Sequence, residues 1–403
     1  MKLESLSLKH CGGFEQLDTI SFEPDVTLIA GVNGVGKSTL LKAIAVILSR
    51  AQRRMNIAAS QPLSFGKDDI FIGSDDVQIV ASMDFNGRKI RADYLQSANV
   101  KARKKFDLLG ATPEKTTAEC LGVYFSPKRQ LPGQPRNLPE VKPFAPSIAY
   151  DRALHDREVE LREFMHWFRT QEKLGTDNEP HRLKVLDALR VVVSNLMPEF
   201  SDLHIQEQPR LGFVVDKRGQ PFYLHQLSDG ERGLLALVFD LTRRLAIANP
   251  NSANPIAEGK ALVLIDEIEL HLHPKWQRDV LQRLCDTFKA CQFVVTTHSP
   301  LVLGEVEARC IRFLAIQEDG KIGVTTPTEA FGLDANRILQ EHMGARIRNQ
   351  KMDDELKNLF RLIDDEDFNE ARKAIKNLEG RLGGNEPELT RASSLIHFLE
   401  GAD

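Results

Sequence analysis

The stretch GVNGVGKS at residues 31–38 decides the fold of this chain. It follows an apolar run at 26–30, which is typical of a strand buried on both faces, and it leads into a helix predicted over 37–50. Glycines allow the backbone to wrap around a phosphate, and the amide hydrogens at the start of the helix face its negative charge. The pattern G-x-x-x-x-G-K-S between a strand and a helix therefore predicts a phosphate-binding loop.

The side chains of this loop predict that it binds a nucleotide together with a metal ion. Lys37 is expected to reach the β- and γ-phosphates of ATP, and the Ser38 hydroxyl is expected to ligate Mg²⁺. The other nucleotide contacts are expected from the loop and the first helical turn, and they are Asn33, Gly34, Val35, Gly36 and Thr39. ATP and Mg²⁺ are therefore the predicted cofactors.

A second buried strand, predicted over 262–265, ends in Asp266 and Glu267. Two acids at the end of a strand can simply begin a turn. Downstream of a phosphate-binding loop, however, we expect Asp266 to hold Mg²⁺ through water and Glu267 to polarise the attacking water as a general base.

The segment LSDGE at 227–231 precedes a long predicted helix. Ser228, followed three residues later by Glu231, is the pattern of a capping box, which holds whatever the function is. The functional hypothesis adds that Ser228 and Gly230, at the start of the helix, point at the γ-phosphate of an ATP bound to another protomer.

These segments occur in the order found in the heads of ABC-type ATPases: the phosphate loop, LSDGE, LIDEIELHLHP at 264–274 and THS at 297–299. Over about residues 1–330 the chain resembles the RecF, SMC and OLD-like group of these ATPases. The resemblance implies that two copies enclose ATP between them, with the signature serine acting in trans. It also implies that His298 is a switch histidine that contacts the γ-phosphate.

The same resemblance implies a Q-loop glutamine after the β-rich part of the head, and Gln130 is the candidate for this nucleotide contact. Its neighbours Lys128 and Arg129 are alternatives as phosphate or DNA contacts. The basic run at 101–105 either lines a nucleic-acid groove, where it would neutralise phosphates, or is solvated surface charge. Both interpretations stay open.

The predicted fold class is α/β, with an ABC-type P-loop ATPase head over residues 1–330 and a small C-terminal helical module over 331–403. The head is expected to combine a mixed sheet and its helices with an antiparallel β lobe, indicated by Asn86-Gly87 between two alternating strands. Residues 98–196 are interpreted as a proline-rich loop followed by a helical insertion. Apolar residues at helical spacing in the tail predict helices, and we expect this module to bind a partner.

The composition is that of a globular protein, with 42% hydrophobic and 27% charged residues. No apolar run approaches the roughly 18 residues of a membrane span, and no signal segment opens the chain, so we expect a cytoplasmic protein without a membrane partner. Five scattered cysteines indicate buried thiols. The net charge of −4 conceals nine Lys/Arg against four Asp/Glu at 98–145 and eight against thirteen at 351–403.

Two features narrow the function. Only about 190 residues separate Ser38 from Ser228, which is too few for long coiled-coil arms, and the tail shows no nuclease pattern of metal ligands. The helix that contains WFRTQE at 167–172 and the short tail resemble the ATPase subunits of Septu antiphage systems, including their retron-associated relatives.

This resemblance implies an ATPase that forms head-to-head dimers, and assemblies of those dimers, and that regulates a separate HNH nuclease according to its nucleotide state. DNA, or a retron reverse transcriptase with its msDNA, would be a further partner. The alternative is a RecF-like DNA-binding ATPase of DNA repair.

Overall fold

The computed structural model describes residues 1–55, 57, 61–85, 87–97, 104–110, 121–129, 131, 133, 135–177, 179–346, 348–382 and 386–400. The chain divides into two compact units, Met1–Ile338 and Leu339–Asp403. The boundary between them lies a few residues after the predicted division between 330 and 331.

The strands belong to the first unit. In chain order they are β1 (Lys2–Cys11), β2 (Phe14–Ser21), β3 (Val26–Gly31), β4 (Asp76–Phe85), β5 (Arg88–Ser97), β6 (Lys105–Leu109), β7 (Leu121–Phe125), β8 (Phe200–Gln206), β9 (Gly212–Lys217), β10 (Gln220–Tyr223), β11 (Ala261–Ile265), β12 (Gln292–Thr297), β13 (Ile311–Ile316) and β14 (Ile322–Thr325).

The helices follow the same order in both units. They are α1 (Lys37–Arg54), α2 (Leu161–Asp177), α3 (His181–Leu196), α4 (Asp229–Ala248), α5 (Pro255–Glu258), α6 (Pro274–Thr287), α7 (Pro300–Leu303), α8 (Ala335–Arg337), α9 (Gln350–Asp364), α10 (Phe368–Leu382) and α11 (Pro387–Glu400). A π-helical turn at Ile338–His342 follows α8.

A central sheet of six strands positions the predicted site. Its order is β14-β13-β3-β12-β11-β7, with β14 antiparallel at one edge and the other five strands parallel. Every residue of β11 (ALVLI) and β12 (QFVVTT) is buried, as expected for parallel strands covered on both faces. Since the carboxyl ends of parallel strands meet at one edge of a sheet, the segments after β3, β11 and β12 lie side by side there.

The other two sheets are antiparallel, with strand orders β2-β1-β4-β5-β6 and β10-β9-β8. Alternate residues of β4 are buried, which is the pattern of a strand with one face on the core. Strands β4 and β5 pair as a hairpin, and Gly87 before β5 has a φ of +81°. The mixed sheet with its helices and the antiparallel sheets confirm the predicted α/β fold.

Residues 98–196 differ from the predicted loop and helical insertion in one respect. Besides α2 and α3, this stretch contributes β6 to the larger antiparallel sheet and β7 to the central sheet. The sequence of β7, LGVYF, is a short apolar run that fits a strand or a buried loop equally well. Its pairing with β11, which is distant in sequence, decides between the two.

Helix α1 follows the predicted phosphate-binding loop, and helix α4 begins at the predicted signature segment. Helix α1 packs on β3, β7, β11 and β12 of the central sheet and on β4 and β5 of the antiparallel sheet. Helix α4 is tied to α2 and β9 by aromatic rings: Phe164 stacks on Phe239 with 4.1 Å between ring centroids, and Phe213 lies 5.5 Å from Phe239. Because burial of each ring contributes about 1.5–3 kcal/mol, α4 is held firmly to these neighbours.

A buried ionic cluster also holds α4. The Asp240 carboxylate accepts hydrogen bonds from Arg157 (2.6 Å), Arg243 (2.9 Å) and Arg244 (2.8 Å), and it is 1% exposed. Arg244 donates further to the carbonyl oxygens of Ala149 and Asp151. The cluster therefore joins the segment before α2 to the middle of α4.

The second unit is built from α9, α10 and α11. Each helix contributes three residues to its buried core, which consists of Leu356, Leu359, Ile363, Ala371, Ile375, Leu378, Leu389, Ala392 and Ile396. These are apolar positions at helical spacing, so the unit buries a hydrophobic core of its own.

The described cysteine thiols are buried or half-buried, as the sequence predicts. Cys11, Cys291 and Cys310 are buried and Cys285 is half-buried, whereas Cys120 lies outside the described residues. Burial raises the pKa of Cys11, Cys285 and Cys291 to about 12, so these thiols stay neutral near pH 7.

Among the described residues, every helix is too short or too polar to cross a membrane.

Candidate nucleotide-binding site

The loop between β3 and α1 has the backbone that phosphate binding requires. Gly31, Gly34 and Gly36 have φ values of +146°, +79° and +98°, which glycine adopts without strain. A Cβ atom on Gly36 would lie 2.6 Å from the Phe14 ring, and one on Gly31 would lie 2.4 Å from the Leu314 carbonyl oxygen. Gly31 and Gly36 are therefore required by the available space as well as by conformation.

Lys37 lies inside this loop. Its ammonium group donates hydrogen bonds to the carbonyl oxygens of Gly31 and Val32, both at 2.9 Å, and the residue is 5% exposed. Burial lowers the pKa of Lys37, whereas the nearby charges of Asp266 and Glu267 act in the opposite direction. The loop thus holds the ammonium group where a phosphate oxygen would be its natural partner.

The remaining predicted loop residues surround this position. Asn33, Gly34 and Ser38 are exposed, Gly36 and Thr39 are half-buried, and Val35 is buried. Because the Val35 side chain is packed inside, only its backbone is available to a nucleotide. Gly36 caps α1 without a side-chain hydrogen bond, so the unpaired amides of the first helical turn remain available to an anion.

Asp266 and Glu267 are both held by Thr296 of the neighbouring strand β12. The Thr296 hydroxyl donates to the Asp266 carboxylate at 2.6 Å and accepts from the Glu267 amide at 2.8 Å. Glu267 has a φ of +50°, a left-handed conformation that costs about 1–3 kcal/mol for such a residue and is concentrated at functional sites. The surroundings of Glu267 therefore force its backbone into this conformation.

The oxygen ligands near Lys37 fit Mg²⁺. Asp266 offers a carboxylate and Ser38 offers an exposed hydroxyl, and hard cations of this kind are held by one or two such ligands together with phosphate oxygens and water. These two residues would hold the ion beside the phosphates.

His298 lies at the end of β12, with its Nδ1 atom 3.4 Å from the Lys37 ammonium nitrogen. Burial lowers the pKa of His298, and the charge of Lys37 lowers it further. The imidazole is therefore neutral near pH 7, with Nδ1 facing a cation and its proton on Nε2.

Glu269 fixes the segment that carries His298, and the sequence did not single it out. Its carboxylate accepts a hydrogen bond from the His298 amide at 2.5 Å and another from the Thr297 hydroxyl at 2.8 Å. The available signal was a third acid two residues after Glu267. Its partners, however, lie about thirty residues further along the chain.

Arg129 is a second residue of the site whose role was not predicted. Its guanidinium group donates to the carbonyl oxygens of Asp266 and Glu267, both at 2.6 Å, and the residue is 6% exposed. These bonds leave it buried against protein, which does not favour the interpretation of Arg129 as a phosphate or DNA contact. Its neighbour Lys128 is exposed and pairs with Asp156 at 2.9 Å, and Gln130 lies outside the described residues.

The basic run is only partly described. Lys105 forms an exposed ion pair with Asp107 at 2.9 Å, and residues 101–103 lie outside the described part of the chain.

The signature segment forms the predicted capping box at the start of α4. The Ser228 hydroxyl accepts from the Glu231 amide at 3.4 Å, and the Glu231 carboxylate accepts from the Ser228 amide at 2.9 Å. Ser228 is exposed, whereas Gly230 is buried so closely that a Cβ atom would lie 2.2 Å from the His271 carbonyl oxygen. The exposed Asp229 carboxylate pairs with Arg232, which lowers the pKa of Asp229.

The structure thus brings Lys37, Asp266, Glu267 and His298 together at the carboxyl ends of three adjacent parallel strands. Ser228 and Gly230 lie instead at the start of α4, against the segment that follows β11. The group around Lys37 can bind a nucleoside triphosphate and activate a water molecule beside it. The second presents an exposed serine and a helix N-terminus, both suited to an anion.

Comparison with known proteins shows the family and the fold of the chain. The family described as "AAA domain, putative AbiEii toxin, Type IV TA system" matches residues 26–304. The chain is 26% identical to a protein named Retron Vc95 probable ATPase, from Vibrio cholerae serotype O1 biovar El Tor, over 84% of this chain and 78% of the relative. It is also 26% identical to Septu protein PtuA of Bacillus mycoides (strain KBAB4), over 82% of this chain but only 45% of that protein.

Among solved structures, the chain is similar to an SMC head bound to the C-winged helix domain of ScpA. The TM-score is 0.52 at 17% sequence identity, over 81% of this chain and 98% of the other. At this identity the likeness concerns the fold. The predicted resemblances, to the SMC group in fold and to Septu and retron ATPases in sequence, are confirmed.

Proposed function

Since the chain belongs to the AAA-domain family described as "AAA domain, putative AbiEii toxin, Type IV TA system", we propose that it is an ATPase that binds ATP between two copies of itself. We propose further that it is the regulatory subunit of an antiphage complex and controls a separate HNH nuclease. The observation that carries the ATPase proposal is the convergence of Lys37, Asp266, Glu267 and His298 at one edge of the central sheet.

In this proposal the residues divide the reaction between them. Lys37 and the amides of the first turn of α1 bind the phosphates. Ser38 and Asp266 would hold Mg²⁺, which would supply positive charge beside the phosphate oxygens. Glu267 accepts a proton from the attacking water. His298, neutral and protonated on Nε2, donates a hydrogen bond to the γ-phosphate while its Nδ1 atom faces Lys37.

The signature residues complete the site of a second copy. Ser228 is exposed at the N-terminus of a long helix, where an anion is favoured by the helix dipole and by unpaired amides. The negative charge of Asp229 would oppose a phosphate there, but its pairing with Arg232 offsets that charge. These features support a trans contact between Ser228 and the γ-phosphate.

Mixing two inactive variants tests the trans site. Lys37→Ala removes the phosphate contact and Ser228→Arg blocks the signature, so each homodimer should be inactive. A 1:1 mixture should recover up to roughly a quarter of wild-type ATPase activity, because random pairing makes roughly half of the dimers mixed and each of those has one intact site. The measurement is steady-state phosphate release after subunit exchange.

The double variant Lys37→Ala/Ser228→Arg, mixed with either single variant, is the matched control and should stay inactive. A 1:1 mixture as inactive as its parents would contradict independent trans sites. The number of ATP analogue molecules bound per mixed dimer then shows whether the composite site is absent or whether hydrolysis needs two sites.

The nuclease part of the proposal rests on the relatives and on the second unit. One relative is named as a Septu protein and another as a retron ATPase. The unit Leu339–Asp403 has its own core, and residues 351–403 carry eight Lys/Arg against thirteen Asp/Glu, so it offers an acidic helical surface. A change in nucleotide state can regulate a partner that binds the two states with different affinity.

The purified chain should hydrolyse ATP but leave plasmid DNA intact with Mg²⁺ or Mn²⁺, because the chemistry assigned here is that of a nucleotide switch. Cleavage should appear only when an HNH nuclease encoded beside it is added. Deleting residues 339–403, which removes the second unit whole, should retain ATPase activity and abolish capture of the nuclease. Plasmid cleavage and pull-down with the flanking genes are the two measurements.

Cleavage by the chain alone that survives repurification and disappears in a metal-ligand variant would refute this assignment. Capture of DNA or of a retron reverse transcriptase with its msDNA, with no nuclease present, would instead favour those partners. DNA binding alone would favour the RecF-like repair function.

A further inference from the structure

Arg129, just beyond the end of β7, makes an unusual set of contacts. Its guanidinium group donates to the carbonyl oxygens of three consecutive residues, Asp266 at 2.6 Å, Glu267 at 2.6 Å and Ile268 at 3.3 Å. It also reaches the Ser126 carbonyl in its own turn at 3.4 Å. Because these partners are backbone carbonyls and not carboxylates, Arg129 fixes the path of the chain and does not merely balance charge.

The turn at Glu267 depends on such support. Its φ of +50° is a conformation that a glutamate rarely adopts, and the direction of its carboxylate follows from it. Thr296 holds the Glu267 amide from one side at 2.8 Å, and Arg129 holds the carbonyls from another. Without the guanidinium group, the Asp266 and Ile268 carbonyls would lose this donor, while the Glu267 carbonyl would keep its bond from the Leu270 amide at 3.0 Å. The turn would then be less constrained.

The same arginine lies against the signature helix. A Cβ atom on Gly233 of α4 would be 3.5 Å from the Arg129 carbonyl oxygen, which is ordinary van der Waals contact. Three residues earlier in α4, Gly230 packs directly on the His271 carbonyl at the far end of the segment that begins with Asp266. Helix α4 therefore runs beside the Arg129 backbone and packs on the segment that the Arg129 guanidinium group holds.

We propose that Arg129 is a positioning residue that couples the signature helix to the catalytic base of the same chain. The inference rests on the proposed function. When Ser228 binds the nucleotide of the second copy, α4 shifts and moves Arg129 with it. Arg129 in turn moves residues 266–268 and so orients the Glu267 carboxylate. Each copy then aligns its own base only when its signature is engaged.

The charge of Arg129 is consistent with this role. Burial lowers its pKa to about 10, with the carboxylates of Glu269, Asp266 and Glu267 acting in the opposite direction. The guanidinium group stays protonated near pH 7, so all its donors remain available to the carbonyls.

The test compares Arg129→Ala and Arg129→Lys with the matched control Arg381→Ala, which removes an exposed arginine of the second unit that pairs with Glu355. In Arg129→Ala, kcat should fall by about 10- to 100-fold, because a small displacement of a catalytic group has this effect. The Kd for a non-hydrolysable ATP analogue should stay within about threefold of wild type. Arg129→Lys keeps the charge but cannot bridge three carbonyls, so it should also lose most of kcat, whereas Arg381→Ala should behave as wild type.

A guanidinium salt at low millimolar concentration, which fills the space left in Arg129→Ala, should restore part of kcat in that variant and none in Glu267→Gln. A wild-type kcat in Arg129→Ala or Arg129→Lys would overturn the proposal. Loss of both kcat and analogue binding in Arg129→Ala would also overturn the proposal, and so would a loss of kcat that guanidinium does not reverse. Either result would indicate a purely structural role. If the wild-type chain itself fails to hydrolyse ATP, or Glu267→Gln remains active, the proposed function has failed before this inference is reached.

Discussion

Glu267→Gln is expected to lower kcat for ATP hydrolysis by at least about 100-fold and to leave ATP binding intact. The amide has nearly the shape of the carboxylate but cannot accept a proton from water. In the proposed site the phosphate contacts come from Lys37 and the loop between β3 and α1, which the substitution does not touch. Steady-state phosphate release and the Kd of an ATP analogue separate the two effects.

The isosteric change Glu318→Gln, at an exposed position in the turn between β13 and β14, is the matched control and should leave kcat unchanged. Near-normal hydrolysis by Glu267→Gln would show that Glu267 is not the general base. Loss of analogue binding in the same variant would instead show that Glu267 helps to hold the nucleotide.

Asp240→Ala should lower the free energy of unfolding of the first unit by about 3–5 kcal/mol, because it leaves the buried Arg157 and Arg244 without their carboxylate, although Arg243 keeps Glu163 at 2.9 Å. The Arg243 and Arg244 side chains are 4% and 2% exposed and the Arg157 side chain is 6% exposed, so water cannot replace the carboxylate. Denaturant unfolding followed by the fluorescence of the two tryptophans, Trp167, which is fully buried in α2, and Trp276, which is half-buried in α6, measures the change.

Asp279→Ala is the matched control, since Asp279 also pairs with an arginine four residues away, Arg283, but at the surface. It should cost less than about 1 kcal/mol. Equal effects of the two substitutions would show that burial of the Asp240 cluster contributes little.

The same cluster predicts a dependence on pH. Burial alone would raise the pKa of Asp240, but Arg244, Arg157 and Arg243 together hold it far below its ordinary value. Its contribution is therefore complete above the pKa of the unfolded chain, about 4, and is lost as the pH falls below that value. Wild-type stability should decline more steeply than that of Asp240→Ala below about pH 4, and parallel declines would contradict the assignment.

Most of the site could be predicted because its signals are local. The glycines of the phosphate loop, the acids after β11 and the capping box at Ser228 each lie within a few residues of one another, and each has a physical reason that needs no distant partner. The order of these segments along the chain was enough to predict an α/β ATPase head. The hydrophobic spacing of the tail was likewise enough to predict its helices.

What only the tertiary structure decided depends on contacts between distant parts of the chain. Arg129 reaches carbonyls 137 to 139 residues away, and Arg157 reaches Asp240 across 83 residues. The sequence does not show whether a basic residue in a loop is buried and hydrogen-bonded or exposed to solvent. Two interpretations of Arg129 therefore stayed open, a phosphate contact and a DNA contact. Its role as a donor to backbone carbonyls exists only because β7 pairs with β11, and no periodicity within either strand specifies which strand will be its neighbour.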